Sequence, residues 1–173
     1  MIHTKEEIKK NLEQNFNLFI DFIDKQDKNT FEHMPQGKWS AGQNLDHLIK
    51  STRPVNWGLN IPKFLYPWLF GKINRVPRTY DELQKRYKEK LAAGGTAPNP
   101  FIPPVILFEQ KTTKIKQFRK ELNRLCKKVD SLSDKQLDNL LLPHPLLGKL
   151  TIREMLFFTI YHTEHHLNIL KSR

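Results

Sequence analysis

Residues 151–170 read TIREMLFFTIYHTEHHLNIL, and this stretch decides the fold because it contains both a helix start and a helical face. Thr151 and Glu154 have the spacing of a capping box, in which each side chain accepts a hydrogen bond from the other residue's backbone N–H. Apolar residues then recur at helical intervals, which predicts an amphipathic helix that runs to the chain end. One stripe of that helix carries two histidines among apolar residues: Met155, Phe158, His162, His166 and Ile169.

Three further long helices are predicted by the same signals. A capping box at Thr4 opens the first, which we expect to end near residues 25–29, and a capping box at Ser40 opens the second. Pro54 either kinks or ends the second helix, because proline lacks an N–H and clashes with the preceding turn. The third long helix is predicted over residues 104–129, with proline tolerated in its first turn.

Two connections join these helices. The first, residues 62–103, is long and rich in turn residues, and it contains a short charged helix predicted near residues 80–91. We expect this crossover to cover one end of a bundle. The second, residues 143–148, contains two prolines and a glycine, and no stretch alternates as a sheet requires. The sequence therefore predicts an all-α four-helix bundle with a long crossover between helices two and three, in one domain over residues 1–173.

The chain is basic, with 29 Lys and Arg against 18 Asp and Glu, for a net charge of +11. Such a field attracts anions in general, including nucleic acid and acidic small molecules. Within residues 111–128, however, apolar residues interleave with the basic ones at helical spacing, which favours an ordinary solvated helix face over a nucleic-acid groove. No apolar run reaches the roughly 20 residues of a membrane span. With no signal-like stretch and a lone Cys126, we expect a cytoplasmic protein without a membrane partner.

The histidines are the residues that point to chemistry. His162 and His166 are four apart and therefore share one helix face, where two imidazoles can bind the same divalent metal ion. His47, on the second predicted helix, is the candidate for a third ligand from a facing helix. Three protein ligands leave a position open for water or substrate, and a metal there can lower the pKa of water toward about 7.

The competing interpretation is that these histidines are polar residues satisfied by hydrogen bonds. It is favoured for His47 taken alone, whereas the 162/166 pair alone is balanced between the two interpretations. His165 lies a quarter-turn off the stripe, and we do not expect His3, His33 or His144 to be ligands, although a place at the rim of the bundle stays open for His144. Four residues near the ligands could orient their rings: Gln43, Asn44, Asp46 and Glu164.

The order of these features resembles the DinB-like superfamily. Trp39-Ser40 opens a helix with a central His47, a long crossover follows, and a Thr-capped helix ends with His162 and His166. The resemblance implies a four-helix bundle with a metal site formed by these three histidines, nickel or zinc as the metal, and a homodimer. It also implies a metal-dependent hydrolase, while other branches of the family are transferases or isomerases that use a low-molecular-weight thiol. The long insertion between the second and third helices departs from the minimal pattern.

Several functions follow as hypotheses. The first is a metal-dependent hydrolase acting on a small molecule, which the basic charge suggests is anionic. The second is a metal-dependent transferase that uses a low-molecular-weight thiol, and the third is a non-catalytic bundle that binds a metal or an anion. A nucleic-acid-binding protein is disfavoured, because only the net charge supports it. No catalytic residue is assigned beyond the metal ligands, and Cys126 is expected to be buried and inert rather than a nucleophile.

Overall fold

The computed structural model describes residues 4–173 of the chain. Eight α-helices and two short strands lie in this part of the chain, joined by turns and three single 3₁₀ turns. In chain order they are α1 (Lys5–Asp24), α2 (Lys28–Glu32), α3 (Ala41–Gly58), α4 (Tyr66–Phe70), α5 (Tyr80–Ala92), α6 (Lys111–Asp130), α7 (Asp134–Asn139), β1 (Leu141–His144), β2 (Gly148–Thr151) and α8 (Ile152–Lys171).

The four longest helices form the predicted bundle. α1 contacts α6 and α8, and α3 contacts α6 and α8. The interior between α1 and α6 is aromatic, because Phe16 stacks on Phe118 with ring centroids 4.2 Å apart and Phe19 meets the same ring edge-on at 5.8 Å. All three side chains are fully buried. The all-α four-helix bundle is therefore confirmed, whereas the single domain over residues 1–173 stays a prediction. Within residues 4–173, we find no helix with the length and apolar character needed to cross a membrane.

The predicted capping boxes are present at the starts of three bundle helices. The hydroxyl groups of Thr4, Ser40 and Thr151 each accept a hydrogen bond from the backbone N–H three residues later. The side chain of that later residue accepts one from the capping residue's N–H in return. Each cap stabilises its helix by about 1 kcal/mol. Pro54 does not end the second bundle helix, since α3 continues through it to Gly58.

The start of the third bundle helix was predicted wrongly. α6 begins at Lys111 rather than at residue 104, and an extended segment precedes it. Pro103 and Pro104 have no backbone N–H, and a proline disfavours helical geometry in the residue before it. Just before these prolines, the carbonyl groups of Phe101 and Ile102 contact His47 and Lys50 on α3 at 2.8 and 3.0 Å. A single 3₁₀ turn over Phe108–Gln110 then leads into α6.

The crossover lies against α8, where α5 packs along the helix and a buried ion pair fixes the loop before it. The Glu154 carboxylate is fully buried and receives both terminal nitrogens of Arg75 at 2.6 Å. The backbone N–H groups of Arg78 and Thr151 donate to the same carboxylate at 2.8 Å. Burial by itself would raise the pKa of Glu154, but these hydrogen bonds outweigh it and hold the pKa below its ordinary value. The charged helix predicted near residues 80–91 is confirmed as α5.

The second connection contains a feature that the sequence analysis missed. Residues 141–144 and 148–151 pair as an antiparallel hairpin, with Leu142 opposite Leu150. Strands of four residues are too short to show a clear alternation, and Pro143 in the first argues against a strand in any sequence-based reading. Gly148 adopts a positive φ of 78° at the turn, a conformation that favours glycine. The hairpin leads directly into α8 and so places His144 beside that helix.

Five basic residues of α6 lie on its solvent side, as predicted, whereas Lys114 and Lys128 contact α3. The buried side chains of α6 alternate with an exposed row that consists of Lys116, Arg119, Lys120, Arg124 and Lys127. Cys126 is buried, as expected, and burial raises the pKa of its thiol to about 11. A thiol with so high a pKa carries almost no thiolate at neutral pH, which agrees with an inert cysteine.

Candidate metal centre

Two bundle helices bring the three predicted histidines together. His47 lies near the middle of α3, and His162 and His166 lie on α8 one turn apart. The Nε2 atom of His162 is 3.2 Å from Nε2 of His47 and 3.1 Å from Nε2 of His166. All three residues are buried, with 4–6% of their surface exposed. One ligand nitrogen from each residue lies within 4.8 Å of the other two, so the cluster could hold a single metal ion.

The protonation of His166 is fixed by Asn44. The Asn44 amide nitrogen donates to the carbonyl groups of Trp39 and Ser40 at 3.1 and 2.8 Å, so both of its protons are used. Its oxygen Oδ1 lies 2.7 Å from Nδ1 of His166 and can only accept. Nδ1 of His166 therefore carries the ring proton, and Nε2 is left with a free lone pair.

The backbone of the crossover fixes His47 in the same way. The Nδ1 atom of His47 is 2.8 Å from the carbonyl oxygen of Phe101, which can only accept a hydrogen bond. The ring proton of a neutral His47 therefore lies on Nδ1, and its Nε2 lone pair faces the cluster. A hydrogen bond from Nδ1 to a carbonyl group is a common way for proteins to orient a metal-binding imidazole.

These assignments allow a test of whether the residues fit a metal. The lone pairs of His47 and His166 both point toward Nε2 of His162, which can offer at most one proton and so can satisfy only one of them. A divalent ion about 2.0–2.1 Å from each nitrogen would satisfy all three, and in a tetrahedral site the nitrogens would be about 3.3 Å apart. The two separations from Nε2 of His162, 3.2 and 3.1 Å, are close to that value, and the ligand atoms of His47 and His166 lie within 4.8 Å of each other. The residues therefore fit a small divalent metal ion.

Burial keeps the three rings in the form that binds metals. It lowers the pKa of His162 and of His166 well below the ordinary value, and the neighbouring imidazoles lower both further. The pKa of His47 is also lowered by burial, although the hydrogen bond to Phe101 opposes that shift. All three imidazoles are therefore neutral near pH 7, and only a neutral imidazole can coordinate a metal.

Aromatic rings hold the imidazole planes. Trp39 lies nearly parallel to His166, with ring centroids 6.3 Å apart, and contacts His47 at 4.8 Å. Phe158 stacks on His162 at 4.8 Å, with 24° between the planes. Rings packed in this way restrict rotation of the imidazoles, so the nitrogens are directed at one another before any ion binds.

Of the four residues considered for orienting the rings, Asn44 performs that role. Asp46 instead pairs with Lys114 and Lys50, at 2.6 and 3.3 Å. Gln43 belongs to the capping box of α3, and Glu164 lies near Tyr80 on the crossover. The sequence could not separate these candidates, because they differ only in the direction in which they leave their helices.

Among the described residues, the other histidines lie outside the cluster: His33, His144 and His165. His33 is exposed, and His3, which was not expected to be a ligand, lies outside the described residues. His165 is half-buried and meets the ring of Tyr87 edge-on at 5.8 Å. His144 lies at the rim, with its ring centroid 4.2 Å from that of Phe158, and burial lowers its pKa to about 4.

A cavity of about 360 Å³ adjoins the cluster, and all three histidines form part of its wall. Its other walls come from α3, α5, α8, the hairpin and the turn before residue 101. They are mostly apolar and include Val55, Tyr87, Leu142, Leu146, Met155 and Phe158. Such a cavity is large enough for a small organic molecule beside the nitrogen atoms.

Comparisons with known proteins agree with this architecture. The family model of the DinB superfamily matches residues 11–170. Among solved structures, the chain resembles TT2238, described as a four-helix bundle protein, at 17% identity and a TM-score of 0.62, over 98% of this chain and 100% of that one. It also resembles YfiT from Bacillus subtilis, described as "a probable metal-dependent hydrolase with an unusual four-helix bundle topology".

The YfiT match has 18% identity and a TM-score of 0.63, over 97% of this chain and 84% of that one. A third match, to an uncharacterized protein from Clostridium difficile 630, has 12% identity and a TM-score of 0.53. It covers 99% of this chain and 96% of that one. A search of curated proteins found no match to this sequence. At 12–18% identity, these structural matches show a shared fold and nothing about activity.

Proposed function

The chain belongs to the DinB superfamily, and from that membership we propose that it is a metal-dependent hydrolase. In this proposal His47, His162 and His166 hold one divalent ion, with zinc and nickel as the first candidates. A small-molecule substrate occupies the adjoining cavity. The observation that carries the proposal is that two imidazole lone pairs, fixed by Asn44 and by the carbonyl of Phe101, converge on His162.

Two further observations support a reactive site over a purely structural one. The cluster adjoins a cavity, whereas structural zinc sites are closed by four protein ligands. Within residues 4–173, three side chains could surround one ion: His47, His162 and His166. Three protein ligands leave a coordination position for a small molecule. The description of YfiT as a probable metal-dependent hydrolase concerns a protein of the same fold and agrees with this proposal.

The chain's own residues would position the reactants. When bound, a divalent metal supplies Lewis acidity and lowers the pKa of a water molecule toward about 7. Asn44 and the Phe101 carbonyl hold the proton of each imidazole on Nδ1, so that Nε2 keeps its ligand lone pair. Trp39 and Phe158 cover the rings and exclude bulk water from them. The apolar walls then hold the substrate against the open side of the cluster.

A thiol transferase is the second candidate, and one observation favours it. Among the described residues, the cavity wall contains no Asp or Glu that could act as a general base for water. A thiol has a pKa near 8.5 and needs less help to ionise beside a metal. A low-molecular-weight thiol such as cysteine would then displace a leaving group from a carbon atom of the substrate: a C–S bond forms, the bond from carbon to the leaving group breaks, and the leaving group takes up the thiol proton. A thioether would appear only when the thiol is present, whereas a hydrolase would form the same products with and without it.

Metal binding itself is tested by calorimetric titration of the full chain with Zn²⁺ and Ni²⁺, after purification without a nickel resin. We expect one ion per chain for the natural sequence and for H33A, which changes an exposed histidine. H162A and H166A should lose that binding, because each removes one of three ligands. Equal binding by H166A and the natural sequence, or no binding by either, would contradict the proposal.

A further inference from the structure

The wall of the cavity is uncharged despite the chain's net charge of +11. None of the lining residues within 4–173 is Lys, Arg, Asp or Glu. The basic row on α6 faces solvent on another helix. A charged substrate in this cavity would lose its hydration, and no side chain of the wall offers an opposite charge in return, so only a bound metal ion could compensate an anionic group. The net charge alone would suggest an anionic substrate, but the wall itself favours a neutral one.

His144 contributes a hydrogen-bond donor to this apolar wall. The backbone N–H groups of Leu146 and Leu147, in the turn of the hairpin, both donate to Nδ1 of His144 at 3.1 Å. An Nδ1 that accepts these bonds carries no proton, so the proton of the neutral ring lies on Nε2. No other described residue contacts that nitrogen through a hydrogen bond, and His144 is part of the cavity wall.

The Nε2–H group of His144 lies close to the histidine cluster, with a single aromatic ring between them. The His144 ring packs edge-on against Phe158, and Phe158 in turn stacks on His162. The hairpin holds the ring from the other side through the two bonds to Nδ1. The Nε2–H group is thus fixed at the wall, one ring away from the nearest cluster histidine.

We propose that the cavity takes an uncharged, largely apolar substrate, and that the Nε2–H of His144 donates a hydrogen bond to a carbonyl oxygen of that substrate. This inference rests on the proposed function, since it names the substrate class of the same site. His144 would be a specificity-determining residue, because it contacts the substrate without binding the metal.

The substrate class is tested with two probes of almost the same shape, 2-acetonaphthone and 2-naphthoate. The first is a neutral ketone, and the second carries a carboxylate on the same ring system. Binding of both to the full chain is measured by calorimetry after treatment with a chelator, because a metal ion would itself attract the carboxylate. Circular dichroism establishes that the treated chain is folded. We expect the ketone to bind at least about tenfold more tightly, because the carboxylate would lose its hydration. Equal or tighter binding of 2-naphthoate would overturn the proposal.

The role of His144 is tested with two variants that separate its two nitrogens. H144N keeps an acceptor near the position of Nδ1 for the turn but loses the donor, whereas H144Q places an amide N–H near the position of Nε2. We expect H144N to bind 2-acetonaphthone about tenfold more weakly than the natural sequence, as for the loss of one hydrogen bond. H144Q should recover part of that affinity. A purely structural role in the turn predicts the opposite order, and that order would overturn the proposal.

The infrared carbonyl stretch of bound, ¹³C-labelled 2-acetonaphthone keeps the proposal testable if a variant fails to fold. In the natural sequence we expect this stretch at a lower frequency than in hexane, because a hydrogen bond weakens the C=O bond. A frequency equal to that in hexane would overturn the proposal.

The Zn²⁺ titration of the same protein separates this inference from the proposed function. A chain that binds zinc and prefers the carboxylate contradicts this inference alone, while a chain that binds no zinc and prefers the ketone contradicts the proposed function alone.

Discussion

Helix α8 contributes to two buried polar clusters. They differ in whether the chain itself supplies a partner for every donor and acceptor. At its start, the Glu154 carboxylate is surrounded by donors from the chain itself, including Arg75 and the Arg78 N–H. Two to three turns later, His162 and His166 bring together nitrogen lone pairs that outnumber the available protons. Both clusters are buried, so burial alone does not distinguish them.

The difference indicates what each cluster does. A buried cluster whose donors and acceptors match contributes to the fold and needs nothing from outside. One with surplus lone pairs still needs a cation or a hydrogen-bond donor, and in the proposed function that need is met by a bound metal ion. Changing one cluster while the other serves as the comparison tests this distinction.

The largest effect is expected from E154Q. The amide keeps an acceptor for the Thr151 N–H but removes the negative charge that pairs with Arg75. Breaking a buried ion pair costs about 3–5 kcal/mol. Urea denaturation should therefore show a free energy of unfolding about 3 kcal/mol lower than in the natural sequence. E109Q, which changes an exposed carboxylate paired with Lys28, should have no measurable effect. If folded E154Q lost metal binding but kept its stability, the Glu154 cluster would serve binding rather than the fold, which contradicts this account.

Metal binding should stabilise the fold through the histidine cluster only. With free Zn²⁺ at about 100 times its dissociation constant, the free energy of unfolding should rise by about 2.7 kcal/mol, since the ion binds the folded state. The same zinc concentration should leave H162A unchanged, and it should stabilise E154Q as much as the natural sequence. Denaturant titrations with zinc and with chelator measure this. Equal stabilisation of H162A would place the ion elsewhere.

Replacing the orienting residue should weaken the metal site without removing a ligand. N44L removes the acceptor for Nδ1 of His166, so the affinity for Zn²⁺ should fall about 10- to 100-fold. Asn56 is the matched control, because it is a second buried asparagine on α3 but donates to Glu121 at 2.9 Å. N56L should lower thermal stability and leave zinc affinity unchanged. The account would fail here if the two variants had the same zinc affinity.

The stability of the metal-free chain should also depend on pH, in two separate ranges. The pKa values of His47, His162 and His166 are lowered in the folded chain, so below pH 6.5 the unfolded state binds more protons than the folded state. Their contribution to stability is therefore present above pH 6.5 and is lost as the pH falls, by up to about 1.4 kcal/mol per pH unit for each ring. The lowered pKa of Glu154 acts in a more acidic range, below 4.5.

Urea denaturation of the metal-free chain between pH 7.5 and 4 measures this dependence. The fall in stability between pH 6.5 and 4.5 should persist in E154Q and become shallower in H162A. A stability that stays constant over that range in the natural sequence would mean that the cluster rings are protonated in the folded chain.

Local signals explain which parts of the fold could be predicted from the sequence. The capping boxes at Thr4, Ser40 and Thr151 involve residues three apart, so they are visible without any knowledge of tertiary structure. The contact of the Phe101 carbonyl with His47 joins residues that are 54 apart in the chain, and the surrounding residues carry no signal for it. The hairpin before α8 is local, but its strands have only four residues each, too few to show an alternation.

The candidate site also has features that could be predicted from the sequence and features that could not. The spacing of His162 and His166 predicted a shared helix face and made His47 a candidate third ligand, while the resemblance to the DinB-like superfamily implied that the three would meet. The selection of Asn44 over its neighbours required the orientation of α3 relative to α8. The free Nε2 of His144 could not be predicted, because it follows from a hairpin turn that the sequence does not reveal.

A crystal structure of the chain grown with Zn²⁺, with anomalous data collected on both sides of the zinc absorption edge, tests the central claim most directly. The account predicts one zinc peak about 2.0–2.1 Å from the Nε2 atoms of His47, His162 and His166, with Asn44 still bound to Nδ1 of His166. Three rings in the present arrangement with no zinc between them, or zinc bound only at surface residues, would contradict it.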